Sequence, residues 1–312
     1  MSSDIRSITS YGKARVPVYR VYAHPLTGVP RIPESSFTGR SNTLFALEVD
    51  VEVSGNNFLP AYTHGDNSNI VATDSMKNII LREALTYDGA TYEAFLNQLA
   101  HHFLTTYPHM ESLRLTAREL AFTPIAVPQN DNDTFSESSL LFSRSRNDYA
   151  FAMLDFTRHE NTPMIVDHRC GRLDLQLFKV TGSAFTHFVN DEFTTLPERK
   201  DRPLFIYLDV FWKYRDVEDM LAPTHEHYVP AEQVRDLVQV VFDEFVSESI
   251  QHLVHEIGQR LLVRFPQLQE VSFEAQNRTR DPFFASETDE RVKVYSDPFS
   301  AYGQIKLTLT HN

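Results

Sequence analysis

Two segments carry residues whose types and spacing could do chemistry. The first, AYTHGDNSNIVATDSMKN (61–78), is a polar loop that passes into Ile70, Val71 and Ala72. Thr73-Asp74-Ser75 then stand where a helical pattern begins, and any of the three could cap that helix. A helix N-terminus also offers free N–H groups and a positive dipole to an anion. Taken alone, the segment reads either as a capped helix and nothing more or as one edge of an anion site. The second segment, SAFTHFVNDEFTTLPERKDRPLF (183–205), places Leu196 before Pro197, and Arg202 before Pro203 just ahead of an apolar strand. A guanidinium at a strand start can grip a planar anion through two parallel hydrogen bonds. The alternative is a surface arginine paired with Asp201.

Other chemically capable residues carry less. His252 and His255 lie three apart in a helical stretch, His225 and His227 flank Glu226, and His101 abuts His102. A metal needs three or four convergent ligands, and none of these pairs has a third partner in the sequence. They read as core or surface histidines. Cys170 is the only cysteine, so an intrachain disulfide is impossible. It reads as a buried thiol rather than a nucleophile, and it fits a reducing compartment. There is no P-loop, dinucleotide glycine pattern or G-x-S-x-G, and the chain has only 10 Gly, so a nucleotide or flavin held by a Gly-rich turn is unsupported.

Acids outnumber bases by 42 to 29, a formal net charge of −13. Such a field argues against nucleic acid and anionic membrane as partners. An anionic substrate would need a few local cations to hold it against that field. The N-terminus lacks a secretory h-region, and no apolar run approaches the roughly 20 residues of a membrane span. The C-terminus carries no SKL-type address. A cytoplasmic location is the expectation, and the N-x-Ser/Thr matches at Asn132 and Asn277 carry no glycosylation meaning.

The elements that position these residues come in two similar sets. HFLTTYPHMESLRLTARE (102–119) lies over RLLVRFPQLQEVSFEAQN (260–277), a step of 158 residues from 102 to 260. Pro108 falls on Pro266, Leu104 on Leu262, Ala117 on Ala275 and Tyr107 on Phe265. VPVYRVY (16–22) lies over LQLFKVT (175–181), a step of 159 from 16 to 175. The first half alternates as strands near 12–24 and 43–53. Helical spacing follows near 74–86 and 91–106, then strands near 112–122 and 149–158. The second half repeats the order, with strands near 173–181 and 204–214, a helical stretch at 230–264, and strands near 269–277 and 303–310. The pattern is ββααββ twice, an α+β protein of antiparallel sheets with helices on one face. Module boundaries fall at 11–160 and 161–312. Residues 1–10 read as disordered, and the polar segment 126–148 reads as a loop. Open sheet edges favour closure of several copies into a ring, which makes a ligand site at a subunit boundary natural.

YGKARVPVYRV (11–21) and the two segments above resemble the signature stretches of urate oxidases (uricases). The resemblance runs from about Tyr11 to the C-terminus, and VATDSMKN together with DEFTTLPER is its most specific part. PLTGVPRIPES (25–35) and QNRTRD (276–281) are similar to bacterial members. Membership implies the tunnelling fold, two tandem modules assembling into a homotetrameric barrel with each site between two subunits. It implies oxidation of urate by O2 and water to 5-hydroxyisourate and hydrogen peroxide, through a hydroperoxide, without metal or other cofactor. One subunit would supply Arg202 and Gln251 to the edge of the urate ring. Phe185 would stack on that ring, Leu196 and Ile250 would pack nearby, and Asn277 would hold oxygen or water over the purine plane. The neighbour would supply Thr73 and Asp74, with Lys13 behind Thr73.

One departure matters. Many urate oxidases carry a histidine two residues after the asparagine, completing a Lys–Thr–His proton relay; here that position is Thr279. A hydroxyl cannot act as a near-neutral base as imidazole can. Thr279 is therefore a possible relay position only as a group that positions a water or extends the chain. Two competing readings remain. A metal-dependent purine or pterin hydrolase on the same fold would need a convergent histidine trio. A non-catalytic purine-binding ring would predict loss of Lys13, Thr73 or Asn277.

Overall fold

The computed structural model of the chain describes residues 7–129, 134–144, 146–160, 162–296 and 300–311. They form two compact units. Unit one comprises residues 1–31, 37–170 and 214–229, and unit two comprises 32–36, 171–213 and 230–312. Of the N-terminal stretch expected to be disordered, residues 1–6 lie outside the described residues, and Ser10 already opens the first strand. Among the described residues no helix is long and apolar enough to cross a membrane.

Unit one holds β1 (Ser10–Val21), β2 (Leu44–Ser54), a short α1 (Leu59–Thr63), α2 (Thr73–Thr86) and α3 (Tyr92–Thr106). It continues with β3 (Ser112–Glu119), β4 (Thr123–Pro128), β5 (Phe135–Ser143), β6 (Tyr149–His159) and the first half of β7 (Thr162–Lys179). Its strands run β1-β2-β3-β6-β7, with the first three pairings antiparallel. Val49, Val51 and Val53 of β2 are buried and alternate with Glu48, Asp50 and Glu52, the two-residue period of a half-buried strand. Phe95, Leu96, Leu99 and Phe103 form the apolar stripe of α3, which packs on β3 and β6.

Unit two holds the second half of β7, then β8 (Leu204–Tyr214), whose last residue belongs to unit one. A short α4 (Glu218–Leu221) lies in the segment of unit one that follows. Unit two resumes with α5 (Ala231–Glu244), α6 (Ile250–Arg264), β9 (Leu268–Asn277), β10 (Phe284–Ala285), β11 (Lys293–Val294) and β12 (Gly303–Thr310). Its strands run β7-β8-β9-β12, and α6 covers β9 and β12 with Leu253, Val254, Ile257 and Leu261. The architecture is α+β.

Three expectations need correction. Most of the described residues of 126–148 are strand rather than loop: β4 and β5 pair antiparallel from Thr123↔Ser143 to Pro128↔Phe135, and residues 130–133 and 145 lie outside the described residues. Most side chains of β5 are exposed, so the alternation that marks a half-buried strand is missing, and the pairing is carried by backbone bonds. The helical stretch 230–264 breaks between Glu244 and Ile250, where Ser249 caps α6 by accepting the His252 N–H at 3.1 Å. β7 begins at Thr162, well before 173.

The two units repeat the same local devices. Arg15 and Asp174, a step of 159, are both in the left-handed region with φ of 56° and 58°. Their N–H groups donate to Asp50 Oδ1 and Asp209 Oδ1, again 159 apart, at 2.7 Å each. Thr91 and Ser249, a step of 158, each cap a helix with a side-chain oxygen. Leu26 bridges Arg40 in unit one, as Phe185 bridges Arg199 in unit two.

Unit one also buries a carboxyl. Leu26, Val29, Ala90 and Tyr228 form a small apolar cluster, and the Tyr228 hydroxyl donates to Glu93 Oε2 at 3.1 Å. Burial lifts Glu93 above the ordinary carboxylate range, opposed in part by its own backbone N–H, Tyr228, the Arg40 charge and the Cys170 thiol. The folded state therefore binds this proton more tightly than the unfolded chain does. That contribution is present at low pH and is lost as pH rises from the unfolded pKa through the folded one. Glu93→Gln, isosteric and uncharged, is expected to match the natural protein's thermal midpoint at about pH 4 and to lose less of it toward about pH 8. Parallel curves would show that Glu93 does not set the slope.

Candidate active site

The corner between β1 and α2 in unit one is built on Tyr11-Gly12-Lys13. A Cβ on Gly12 would lie 1.8 Å from Val51 O, so only glycine lets β1 approach β2 there. Register then shifts between Lys13 and Val16, the bulge that carries Arg15. The Tyr11 ring sets its edge against Phe58 with centroids 5.1 Å apart, and its hydroxyl accepts the Val71 N–H at 2.9 Å. Strand residues two apart point to the same side, so this bond ties the entry of α2 to the side of β1 that carries Lys13. Lys13 is half-buried.

Helix α2 starts at Thr73 behind Ala72, and no side chain caps it. The expectation that Thr73, Asp74 or Ser75 would cap it fails because all three are already inside the first turn. Asp74 turns away instead, to Lys77 Nζ at 2.5 Å and Asn78 Nδ2 at 3.3 Å. These partners hold its carboxyl below the ordinary range: the Lys77 hydrogen bond first, then the Lys77 charge, with smaller help from Asn78 and Lys13. The leading N–H groups of α2 thus keep no side-chain acceptor of their own, which leaves the anion reading of this segment standing.

In unit two, backbone bonds gather the second set. Arg202 N–H donates to Ser183 O at 2.7 Å, Ala184 N–H to Ser247 O at 2.8 Å, and Arg278 N–H to Phe205 O at 2.9 Å. Phe185 and Arg199 exchange two backbone bonds at 2.8 and 2.9 Å. Together they bring Phe185, Arg202, the start of α6 and the end of β9 into one neighbourhood. Ile250 is the first residue of α6 and 2% exposed, a core anchor, while Gln251 beside it is exposed. Leu196 sits in the loop between Phe185 and Arg199 and is 41% exposed. Asn277 ends β9 opposite Gly303.

Arg202 is the telling residue. Its guanidinium carbon lies 5.1 Å from the Phe185 ring centroid, a cation–π approach. Its Nε is buried and has no acceptor among the described residues. Burial disfavours its charge and lowers its pKa, which the Asp281 carboxylate opposes. The alternative pairing with Asp201 does not occur: Asp201 accepts from Thr181 Oγ1 at 2.6 Å and Gly182 N–H at 2.7 Å.

Sequence reasoning missed three neighbours. Phe188 stacks on Phe185 with centroids 4.9 Å apart and 14° between planes, covering one face of that ring. Ser183 and Ser247 form an isolated parallel bridge, and both hydroxyls are buried without a partner among the described residues. The repeated aromatic at three-residue spacing could have flagged Phe188; nothing in the local sequence marks the serines.

The histidines serve locally. His225 Nδ1 meets Thr27 O at 3.0 Å, His227 meets Asp219 at 2.9 Å and His102 meets Glu83 at 2.9 Å. Among the described residues no three His, Cys, Asp or Glu side chains converge to hold a metal ion. Cys170 is buried, and burial together with the Glu93 charge pushes its thiol pKa well up, the environment of an inert thiol.

The step of 158–159 that relates the bulges and caps pairs each site residue with a counterpart. Lys13 corresponds to Arg172, which is 2% exposed, and Thr73 to Ala231. Phe185 corresponds to Leu26, Gln251 to Glu93 and Asn277 to Glu119. Unit one carries Lys13, Thr73 and Asp74 but has Leu26, Glu93 and Glu119 where unit two has Phe185, Gln251 and Asn277. Unit two carries Phe185, Arg202, Gln251 and Asn277 but has Arg172 and Ala231 where unit one has Lys13 and Thr73.

A family model described as Uricase matches residues 9–150 and 168–306. The chain is 53% identical to a uricase of Haloferax volcanii over 86% of this chain and 88% of that protein. It is 46% identical to the uric acid degradation bifunctional protein PucL of Bacillus subtilis, covering 99% of this chain but only 62% of that longer protein. A crystal structure of urate oxidase from Bacillus sp. TB-90 superposes with a TM-score of 0.94 at 46% identity, over 97% of this chain and 100% of that one. The chain belongs to the uricase family.

Proposed function

We propose that the chain oxidises urate with O2 and water to 5-hydroxyisourate and hydrogen peroxide, using no cofactor. The observation that carries this reading is Arg202: a half-buried guanidinium beside an aromatic ring, with a buried Nε that has no acceptor among the described residues. Such a group suits a planar anion that supplies the missing acceptor and stacks on Phe185. Gln251, exposed at the head of α6, offers both donor and acceptor to a ring carrying lactam N–H and C=O groups. Asn277 stands where oxygen or water lies over the ring. Urate is itself the reductant, so the protein's work is orientation and proton transfer.

We assign the other half of the site to a neighbouring subunit. Thr73 and the N–H of Asp74 meet the five-membered ring at the uncapped start of α2, and Lys13 takes the proton through Thr73. Support comes from the complementary sets: each unit carries one set of residues and lacks the other. In this reading residues 11–160 and 161–312 are tandem tunnelling-fold modules, and four chains close a barrel. A single buried thiol accords with a cytoplasmic enzyme.

Mixing the protein with urate should remove its ultraviolet absorbance and form one peroxide per urate; absorbance loss without peroxide would sink the oxidase reading. Arg202→Ala chains and Thr73→Ala chains, each inactive, should regain part of the activity when refolded together, because some sites then carry neither defect. Confirmed mixed tetramers without recovery would overturn the shared site. Arg202→Gln should weaken urate by roughly 10- to 150-fold, the loss of a hydrogen bond to a charged group, and weaken neutral xanthine less. Equal weakening would mean that stacking on Phe185, not the guanidinium, holds the anion.

A further inference from the structure

Asn277 and Thr279 close the end of β9 in a tight turn. The Thr279 N–H donates to Asn277 Oδ1 at 2.9 Å. A backbone N–H requires an acceptor, so the carboxamide presents its oxygen to Thr279 and keeps its two Nδ2 hydrogens for another partner. Thr279 is held in turn: its Oγ1 accepts the Phe205 N–H at 2.9 Å and lies 3.4 Å from Phe205 O. Arg278 between them is clamped, its guanidinium over the rings of Tyr207 and Tyr302 at 4.9 and 4.1 Å and bonded to Gln276 Oε1 at 2.6 Å. Opposite Asn277, a Cβ on Gly303 would come within 3.3 Å of Asn277 Cβ, so the glycine keeps this end of the ladder uncrowded.

We propose that Thr279 is a positioning residue, not a member of the proton relay. Its hydroxyl braces the Asn277 turn against the first residues of β8 and so fixes Asn277 as a hydrogen-bond donor toward the oxygen site. The inference rests on the urate-oxidation reading. As electrons pass from urate to O2, negative charge gathers on the oxygen that becomes peroxide. A preorganised N–H donor stabilises that charge, whereas a carboxamide turned the other way would present a carbonyl oxygen and oppose it. A relay hydroxyl must accept one proton and release another; Thr279 gives one lone pair to the Phe205 N–H and points its own proton at Phe205 O, a backbone carbonyl that passes no proton on. Phe205 follows Arg202 by three residues, so the same brace sets the cation's strand against the asparagine's.

The test compares Thr279→Val and Thr279→Ser in the full-length enzyme, with active sites counted by a tight-binding, non-reactive purine. Thr279→Val should lower kcat about tenfold and raise KM for O2, with purine affinity within about twofold and the pH profile unchanged; Thr279→Ser should restore all of these. A shifted pH profile with KM for O2 unchanged would make Thr279 a relay member. Unchanged kinetics in the valine variant would overturn the brace altogether. Crystal structures of the natural enzyme and the valine variant read the brace without turnover. An Asn277 carboxamide that keeps its orientation in the variant overturns the proposal even if the protein proves inactive on urate, while inactivity of the natural enzyme alone would count against the function.

Discussion

A guanidinium drawn partly out of water with no acceptor for its Nε is unfavourable, and the surrounding chain must hold it there. In unit two that restraint is backbone. The segment bearing Arg202 is fastened to Ser183, the residue after that serine to Ser247, and Phe205 to Arg278 and Thr279. Among the described residues no side chain answers the Nε, and Asp201, the adjacent carboxylate, is turned to Thr181 and Gly182. Ser183 and Ser247, whose hydroxyls are buried without a partner among the described residues, are joined to this segment by those backbone bonds. On the urate reading proposed above, the anion would supply the acceptor that the Arg202 Nε lacks, so binding would recover part of what folding leaves unfavourable.

The acidic character of the chain sharpens this. With a formal net charge of −13, the mean field repels an anion, and attraction must be local. On the proposed reading the two units supply it differently. Unit two offers a formal charge with directional donors. Unit one offers an uncapped helix start and a half-buried lysine, with Asp74 neutralised by Lys77. Placing the Asp74 carboxylate on Lys77 keeps its charge from cancelling the positive end of α2.

Much of this is legible in the sequence because burial has a period. Val49, Val51 and Val53 announce a strand, Phe95, Leu99 and Phe103 a helix, and the recurrence of both after 158–159 residues announces a duplication. What escapes is structure without a buried face. β5 is exposed along most of its length, so no alternation marks it. The start of α2 misleads because Thr, Asp and Ser all favour capping, whereas the chain enters the helix behind Ala72. Arg202 stands out in the sequence by its place before a strand, yet its distinguishing property, a buried donor with no acceptor, exists only once residues 183, 199, 247 and 278 are brought together. Thr279 reads in sequence as a gap in a relay; its hydrogen bonds to Phe205 make it part of the frame.

The buried cluster around Glu93 has one further consequence. Glu93 stands where the second unit has Gln251, and Leu26 where it has Phe185, with Tyr228 filling the space against them. Unit one thus has no ring and no amide at these positions, and unit two has the buried Arg172 where unit one has Lys13. On the urate reading proposed above, the chain would hold one ligand per polypeptide, not one per unit. On that reading the cluster around Leu26 and Glu93 answers to packing, and its counterpart around Phe185 and Gln251 answers to chemistry.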